Sequence, residues 1–382
     1  MEPDFAALRR EFPLLQHMTY LNSGSYCALA KDVKAAFDTY LEDRLQVGAN
    51  WDVWVTKNDA VRAAMARVLG ATSDEIAVTA SASAGLNALA TAMQFTGERN
   101  KIVISDFEFP TNAQIWHAQE PRGARVVHVR RDADGYIPPE AFAKHIDEQT
   151  KLVAITHVCF RNGARLDIPA IVRLAREKGA LVLLDCYQSV GSVDIDVKKL
   201  DVDFAVGGML KYLLGTAGIG FLYVRDSLVR ALHPTHSGWF SQENIFAMDI
   251  TANRPAANAR RFEAGTPPVV NCYATEAGLK IILDVGTPAI ERRIRQLTRR
   301  CMDLLREMDW AAVTPDLDAR RGAMICVPSR ASGPLSQELM RRNIYTSNRD
   351  DNLRICLHFY NNDEDVDVLL AALRELRPQF AP

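Results

Sequence analysis

The stretch 180–223, ALVLLDCYQSVGSVDIDVKKLDVDFAVGGMLKYLLGTAGIGFLY, constrains this chain more than any other. Five apolar residues, 180–184, stop at Asp185, the pattern of a strand buried on both faces of a parallel sheet with a charge at its carboxyl end. Gln188 follows three residues later, then an Asp-rich amphipathic segment, a second apolar run at 204–206, and Gly207-Gly208-Met209-Leu210-Lys211. Lys211 is an isolated cation in apolar, glycine-rich surroundings. Open α/β sheets bind ligands beyond the carboxyl ends of their strands, so Asp185, Gln188 and Lys211 can converge on one crevice. A lysine desolvated there has a lowered pKa and can form a Schiff base. Taken singly, an Asp after a strand is a common helix cap and a Lys before Tyr-Leu-Leu a common surface residue; the signal lies in their order and spacing.

That order, followed by the turn 215–220 and the apolar strand 221–224, resembles the class V aminotransferase family of pyridoxal 5'-phosphate (PLP) enzymes, which includes cysteine desulfurases, kynureninases and isopenicillin N epimerase. The resemblance implies that Lys211 carries PLP as a Schiff base and acts as the catalytic residue. It also implies that Asp185 pairs with the pyridinium nitrogen, keeping the ring an electron sink, and that Gln188 bonds the phenolic oxygen. The implied architecture is the aspartate-aminotransferase-like α/β fold. A large PLP-binding domain with a mostly parallel sheet would occupy 20–255, and a smaller α+β domain would take 1–19 and 256–382.

Other segments take places in the same scheme. The segment 20–26, Tyr-Leu-Asn-Ser-Gly-Ser-Tyr, reads as a short strand entering a polar turn, and the family's equivalent lines the substrate pocket; Asn22 and Ser25 are candidates there. Helical spacing is expected at 4–12, 31–45 and 57–69, with Trp51 and Trp54 on the connection between the last two. A strand at 74–79 enters the small-residue run 80–87 that opens a helix, where free amides and the helix dipole favour an anion. The resemblance makes Ala82 and Ser83 contacts of the cofactor phosphate. After a strand at 102–105, Phe109 takes the place of the aromatic stacked on the cofactor ring, a contact contributing on the order of 1 kcal/mol beyond burial. Strands at 126–130 and 151–156 follow; the second leads into His157-Val158-Cys159-Phe160-Arg161-Asn162-Gly163, similar to a kynureninase segment whose Arg161 position faces the pocket. Alternation of strands and helices from 20 to 224 predicts a parallel-dominated sheet covered on both faces.

Farther on, Arg261-Phe262-Glu263-Ala264-Gly265-Thr266-Pro267 contains the family's FEAGTP motif, whose Thr266 would reach the phosphate bound by the other protomer of a homodimer. A long helical segment spans 271–305. At 353–358, Arg354, Cys356 and His358 alternate with Leu353, Ile355 and Leu357, which puts an arginine on one strand face. Such an arginine is costly when buried unless paired, and the family pairs it with the substrate α-carboxylate. The other reading is a solvated arginine on an edge strand.

Composition narrows the partners. Charged residues make up 24% and the formal net charge is −2, so no basic field suggests nucleic acid or a membrane surface. The apolar runs are too short to span a bilayer and the opening Met-Glu-Pro-Asp is unlike a signal peptide, so a cytoplasmic location is expected. Seven cysteines without a C-x-x-C pair, and His233 and His236 without a carboxylate or cysteine at ligand spacing, predict no metal site. The expected substrate is a small α-amino acid. Departures from the family patterns bear on the reaction. No cysteine lies between Asn343 and Arg354, where desulfurases of the family carry their nucleophile; Gln188 stands where kynureninases carry His; and Leu210 replaces the usual His or Tyr before the lysine. The first expectation is a lyase acting at Cβ, by C–S elimination or kynureninase-like cleavage. An aminotransferase, an epimerase and a PLP-binding protein without turnover are the alternatives.

Overall fold

The computed structural model describes residues 2–382. Its main sheet has seven strands, and the small sheets bring the count to twelve. Numbered along the chain, the strands are β1 (Thr19–Tyr20), β2 (Ile76–Thr79), β3 (Lys101–Ser105), β4 (Arg125–Val129), β5 (Thr150–Thr156), β6 (Leu181–Asp185), β7 (Phe204–Gly208), β8 (Gly220–Val224), β9 (Met324–Pro328), β10 (Ile344–Tyr345), β11 (Ser347–Arg349) and β12 (Asn352–Cys356). The seven-stranded sheet runs β2-β8-β7-β6-β5-β3-β4, with β8 antiparallel to both neighbours and every other pairing parallel. The strands are apolar at successive positions because both faces are covered. Val153, Ile155, Val182 and Leu184 pack with Ile171 and Val172 of the helix Ile168–Glu177 and with Val61 and Met65 of the helix Trp51–Leu69. The intervening Leu152, Ala154 and Leu183 pack with Leu86 and Leu89 of the helix Ala82–Ala92 and with Trp116 of the helix Pro110–His117. The carboxyl ends of β2, β3, β5, β6 and β7 consequently share one edge, and Asp185 closes β6 there.

The antiparallel sheet β11-β12-β9 rests on the helices Thr287–Glu307, Ser332–Arg341 and Asp363–Phe380 through Leu297, Leu335, Leu339, Leu369 and Leu373. β1 does not join the large sheet as the alternation from residue 20 onward predicted. It pairs in parallel with β10, and Cys356 donates its amide to the Leu21 carbonyl at 2.7 Å, which draws the 22–26 turn against β12. The 271–305 segment is two helices, Val269–Val285 and Thr287–Glu307, because Gly286 (φ +86°) breaks the first and Pro288 opens the second. Trp51 and Trp54 lie inside a helix rather than on a connection. Asn50 caps it, its side chain accepting from the Val53 amide at 3.3 Å, so the helix starts earlier than apolar spacing alone suggests. Among the described residues no helix is long and apolar enough to cross a membrane, and no group of three or more His, Cys, Asp or Glu is placed to hold a metal.

One glycine ties the fold to the site. Gly191 has φ +85°, and a β-carbon there would stand 2.3 Å from the Tyr212 carbonyl oxygen, next to Lys211. Gly191→Ala is expected to lower unfolding stability by at least about 2 kcal/mol, from left-handed backbone strain plus a backbone collision. Urea denaturation measures this, and an unchanged midpoint would show that the loop yields freely.

Candidate active site

Where the strands end, side chains from four segments close on a small cavity of about 20 Å³. It is lined by Phe109, Thr156, Val158, Phe160, Asp185, Tyr187, Gln188 and Lys211. Four of the residues singled out from sequence, Phe109, Asp185, Gln188 and Lys211, therefore share one space. Burial pushes the Asp185 carboxyl up, against the opposing pull of the Tyr187 amide, which donates to Oδ1 at 2.9 Å, and of the Lys211 charge. Burial also lowers the Lys211 amine to about 8, although Asp185 favours its charged form. Lys211 Nζ lies 4.2 Å from the centre of the Tyr187 ring. Gln188 donates through Nε2 to the Gly24 carbonyl at 3.0 Å, while its Oε1 is buried with no partner, as is Asn22 Oδ1. An unpaired buried acceptor on the cavity wall, as Gln188 Oε1 is, is costly unless a ligand donor meets it.

Arg354 is 2% exposed, on the central strand of its sheet, so the reading of a solvated edge arginine fails. Its guanidinium donates to Ser25 Oγ at 2.9 Å, to the Phe160 carbonyl at 2.9 Å and to Ser347 Oγ at 3.2 Å. These partners are neutral, so the charge has no counter-ion, and of five N–H donors two stay free to meet an anion. The strand alternation predicted from the sequence holds for Leu353 and Ile355, which are in the core, and for Arg354 and Cys356 opposite them. His358 lies beyond the end of β12 and does not share that role. Its buried ring, lowered to about 3 by burial, is neutral and donates from Nε2 to the Tyr212 carbonyl at 3.1 Å, bracing the Lys211 turn from behind.

One other expectation meets a different geometry. Arg161 turns outward: its guanidinium pairs with Asp350 at 2.5 Å and covers the Phe160 ring instead of lining the cavity. Trp239 packs on Trp51 at 5.0 Å and lines a separate open groove along 238–254. Thr266 is exposed, away from the Lys211 cavity of its own protomer, and lines another cavity with Thr79, Ala84 and His236. The helix Ala82–Ala92 is capped by Ser81, whose hydroxyl accepts from the Ala84 amide at 3.1 Å, so the Ala82 and Ser83 amides stay available at its open end.

Sequence reading passed over three residues. Glu108, fully buried beside Phe109, accepts from Ser105 Oγ at 2.8 Å, Thr156 N at 3.0 Å, Thr156 Oγ1 at 2.7 Å and Asn112 Nδ2, lashing the ends of β3 and β5 together. Burial pushes its carboxyl up to about 7. Phe160, edge-on to Phe109 at 5.0 Å, and Tyr187 supply the aromatic walls. A charged residue between two aromatics after a strand, as in Phe107-Glu108-Phe109, was the available signal for Glu108.

An α/β sheet with an isolated lysine and a buried acid at its carboxyl edge, and an arginine fork from a second sheet, is the arrangement of the type I PLP fold. The chain belongs to the aminotransferase class-V family, whose sequence profile matches residues 54–369, and this is a family of PLP-dependent enzymes. It is 32% identical over 358 residues to an uncharacterized aminotransferase, YcbU, of Bacillus subtilis (strain 168), covering 94% of each chain. It is 31% identical over 333 residues to a kynureninase of Deinococcus radiodurans, covering 83% of this chain and 79% of that one. The apo structure of a cysteine desulfurase from Thermococcus onnurineus NA1 superposes with a TM-score of 0.88 at 24% identity, over 97% of both chains.

Proposed function

We propose that the chain is a PLP-dependent enzyme that acts on an α-amino acid as a lyase, cleaving at Cβ. The observation that carries this reading is the convergence of Lys211, Asp185 and the unpaired acceptor of Gln188 on one cavity, with the Arg354 fork held by Ser25 and Phe160 at its side. When bound, PLP supplies an electron sink that weakens the bonds at the α-carbon of an amino acid joined to it. The residues fit that group. Asp185 is a buried acid whose charge is penalised by desolvation, and a cationic ring nitrogen would restore it. Gln188 Oε1 is an acceptor awaiting a donor, and the open helix end at Ala82 and Ser83 suits a phosphate. Phe109 would cover the ring.

The remaining chemistry belongs to the chain's own side chains. Lys211, whose amine burial lowers to about 8, would hold the cofactor through its aldehyde and is the base placed to move a proton to or from the substrate α-carbon. Arg354 would take the α-carboxylate with its two free N–H groups and so orient the substrate. Asn22, whose backbone carbonyl accepts from the Ser25 amide at 2.9 Å, would act on substrate through the turn that holds the fork. A persulfide on the enzyme is not part of this reading. All seven cysteines are buried, and burial raises the Cys356 thiol, which packs with Met324 and Cys326 on the β12 face that carries Arg354.

The name of the Bacillus relative favours an aminotransferase as the second reading; epimerisation needs the same residues. Thr266, exposed on its loop, and the exposed Leu41, Leu45, Phe246, Met248 and Ile250 suit a homodimer in which Thr266 completes the other protomer's site. Incubating the PLP-loaded protein with a panel of amino acids separates the reactions. Pyruvate or alanine formed over many turnovers is the expected result, and stoichiometric conversion of the cofactor to its pyridoxamine form with release of a keto acid would overturn the lyase in favour of the transaminase.

A further inference from the structure

Tyr187 has no task in the reading above. It stands between Asp185 and Gln188, just past the end of β6, with its ring beneath the Lys211 amine. No side-chain hydrogen bond among the described residues uses its hydroxyl. The ring runs onto Gly208: a β-carbon there would fall 2.3 Å from both Cζ and the hydroxyl oxygen, so only glycine at 208 admits this pose. Gly208 pairs with Gly220 across β7 and β8, and a β-carbon on Gly220 would fall 2.8 Å from the Ala82 amide nitrogen. Side-chain positions of directly paired residues lie about 5 Å apart on one sheet face, which brings the Tyr187 hydroxyl within about 10 Å of the free amides opening the helix Ala82–Ala92. A phosphate hydrogen-bonded on opposite sides spans about 8 Å. Two glycines thus form a bare floor between a phenol and a helix start, and Leu210, next to Lys211, offers no polar side chain there.

We propose that Tyr187 is a cofactor-binding residue whose hydroxyl donates to the phosphate seated at the start of the helix Ala82–Ala92, and whose ring underlies the coenzyme. This deepens the PLP reading and rests on it. Burial, and after it the Asp185 charge, pushes the phenol up to about 12, so the hydroxyl remains a donor at neutral pH. Glycine at 208 is the permissive element, because any side chain there would displace the ring.

The test compares two ligands on the full chain freed of cofactor: PLP, and pyridoxal, which has the same ring and aldehyde without the phosphate. In Tyr187→Phe the ring and its packing stay, and only the hydroxyl is lost. The Kd for PLP is expected to rise about tenfold, the usual weight of a hydrogen bond to a charged acceptor, while the Kd for pyridoxal changes by less than about twofold. Inorganic phosphate is expected to compete with PLP uptake about tenfold less effectively in the variant than in the wild type. Retained pyridoxal binding is the internal control for folding. Equal loss for both ligands, or no loss for either, overturns the hydroxyl–phosphate contact. A wild-type chain that takes up no PLP overturns the cofactor reading itself, whereas a wild type that takes it up with an unchanged preference in Tyr187→Phe overturns this inference alone.

Discussion

Lys211→Ala is expected to abolish turnover, with kcat falling on the order of 10³-fold or more, and to remove the visible absorbance that accompanies PLP uptake. The argument rests on placement: Lys211 is the lysine that lines the cavity with Asp185, so no other amine stands ready to replace it. Loss of fold would not account for the result. Burial disfavours the charged amine, so removing it relieves a desolvation cost, and the urea midpoint is expected to stay level or rise. In the wild type, uptake of PLP should accelerate as pH rises through about 8, because only the uncharged amine attacks a carbonyl and burial has lowered it to that value. The variant should lack this dependence. Visible absorbance that survives in Lys211→Ala would mean that a different lysine holds the cofactor.

The second large effect is at Arg354. Arg354→Ala is expected to lower kcat/KM by about 10²–10⁴-fold, since losing one member of a buried charge pair costs about 3–5 kcal/mol. Most of the loss should appear in KM, because carboxylate binding is made in ground state and transition state alike. Arg354→Lys is not expected to rescue. An ammonium cannot reach Ser25, Ser347 and the Phe160 carbonyl while also presenting a two-pronged donor face to substrate. PLP uptake should be unchanged in both variants, which separates substrate binding from cofactor binding. An unaltered KM for every amino acid turned over would remove Arg354 from the substrate site.

The parts of this site legible in the sequence are those where a strand's apolar run ends on a polar residue. Asp185 after 180–184 and Lys211 after the Gly207-Gly208 pair are such places, and both fall where the sheet edge was expected. Arg354 was legible because alternation along β12 fixes which face it shares with Cys356. Arg161 was not, because a segment pattern places a backbone and not a rotamer: its side chain follows Asp350, whose positive φ of +48° turns a loop toward it from 189 residues away. Thr19–Tyr20 was assigned to the wrong sheet for a related reason. Two residues of strand carry no periodicity, and their partner, Ile344–Tyr345, is equally short. Tyr187 escaped notice because an aromatic after a strand reads as core; only its fit against Gly208 in space marks it out.

The bond from Arg354 to Ser25 joins residues 329 positions apart, and β1 closes on β10 over a similar distance. During synthesis, the segment from Ala82 to Lys211 can emerge and pair its strands long before residue 354 is made. A nascent or truncated chain would hold the elements proposed to bind the cofactor and lack the arginine fork, leaving a reactive lysine open to any passing aldehyde. By fastening residues 19–25 to β10 and β12, the molecule defers the proposed carboxylate fork until residue 354 has been made.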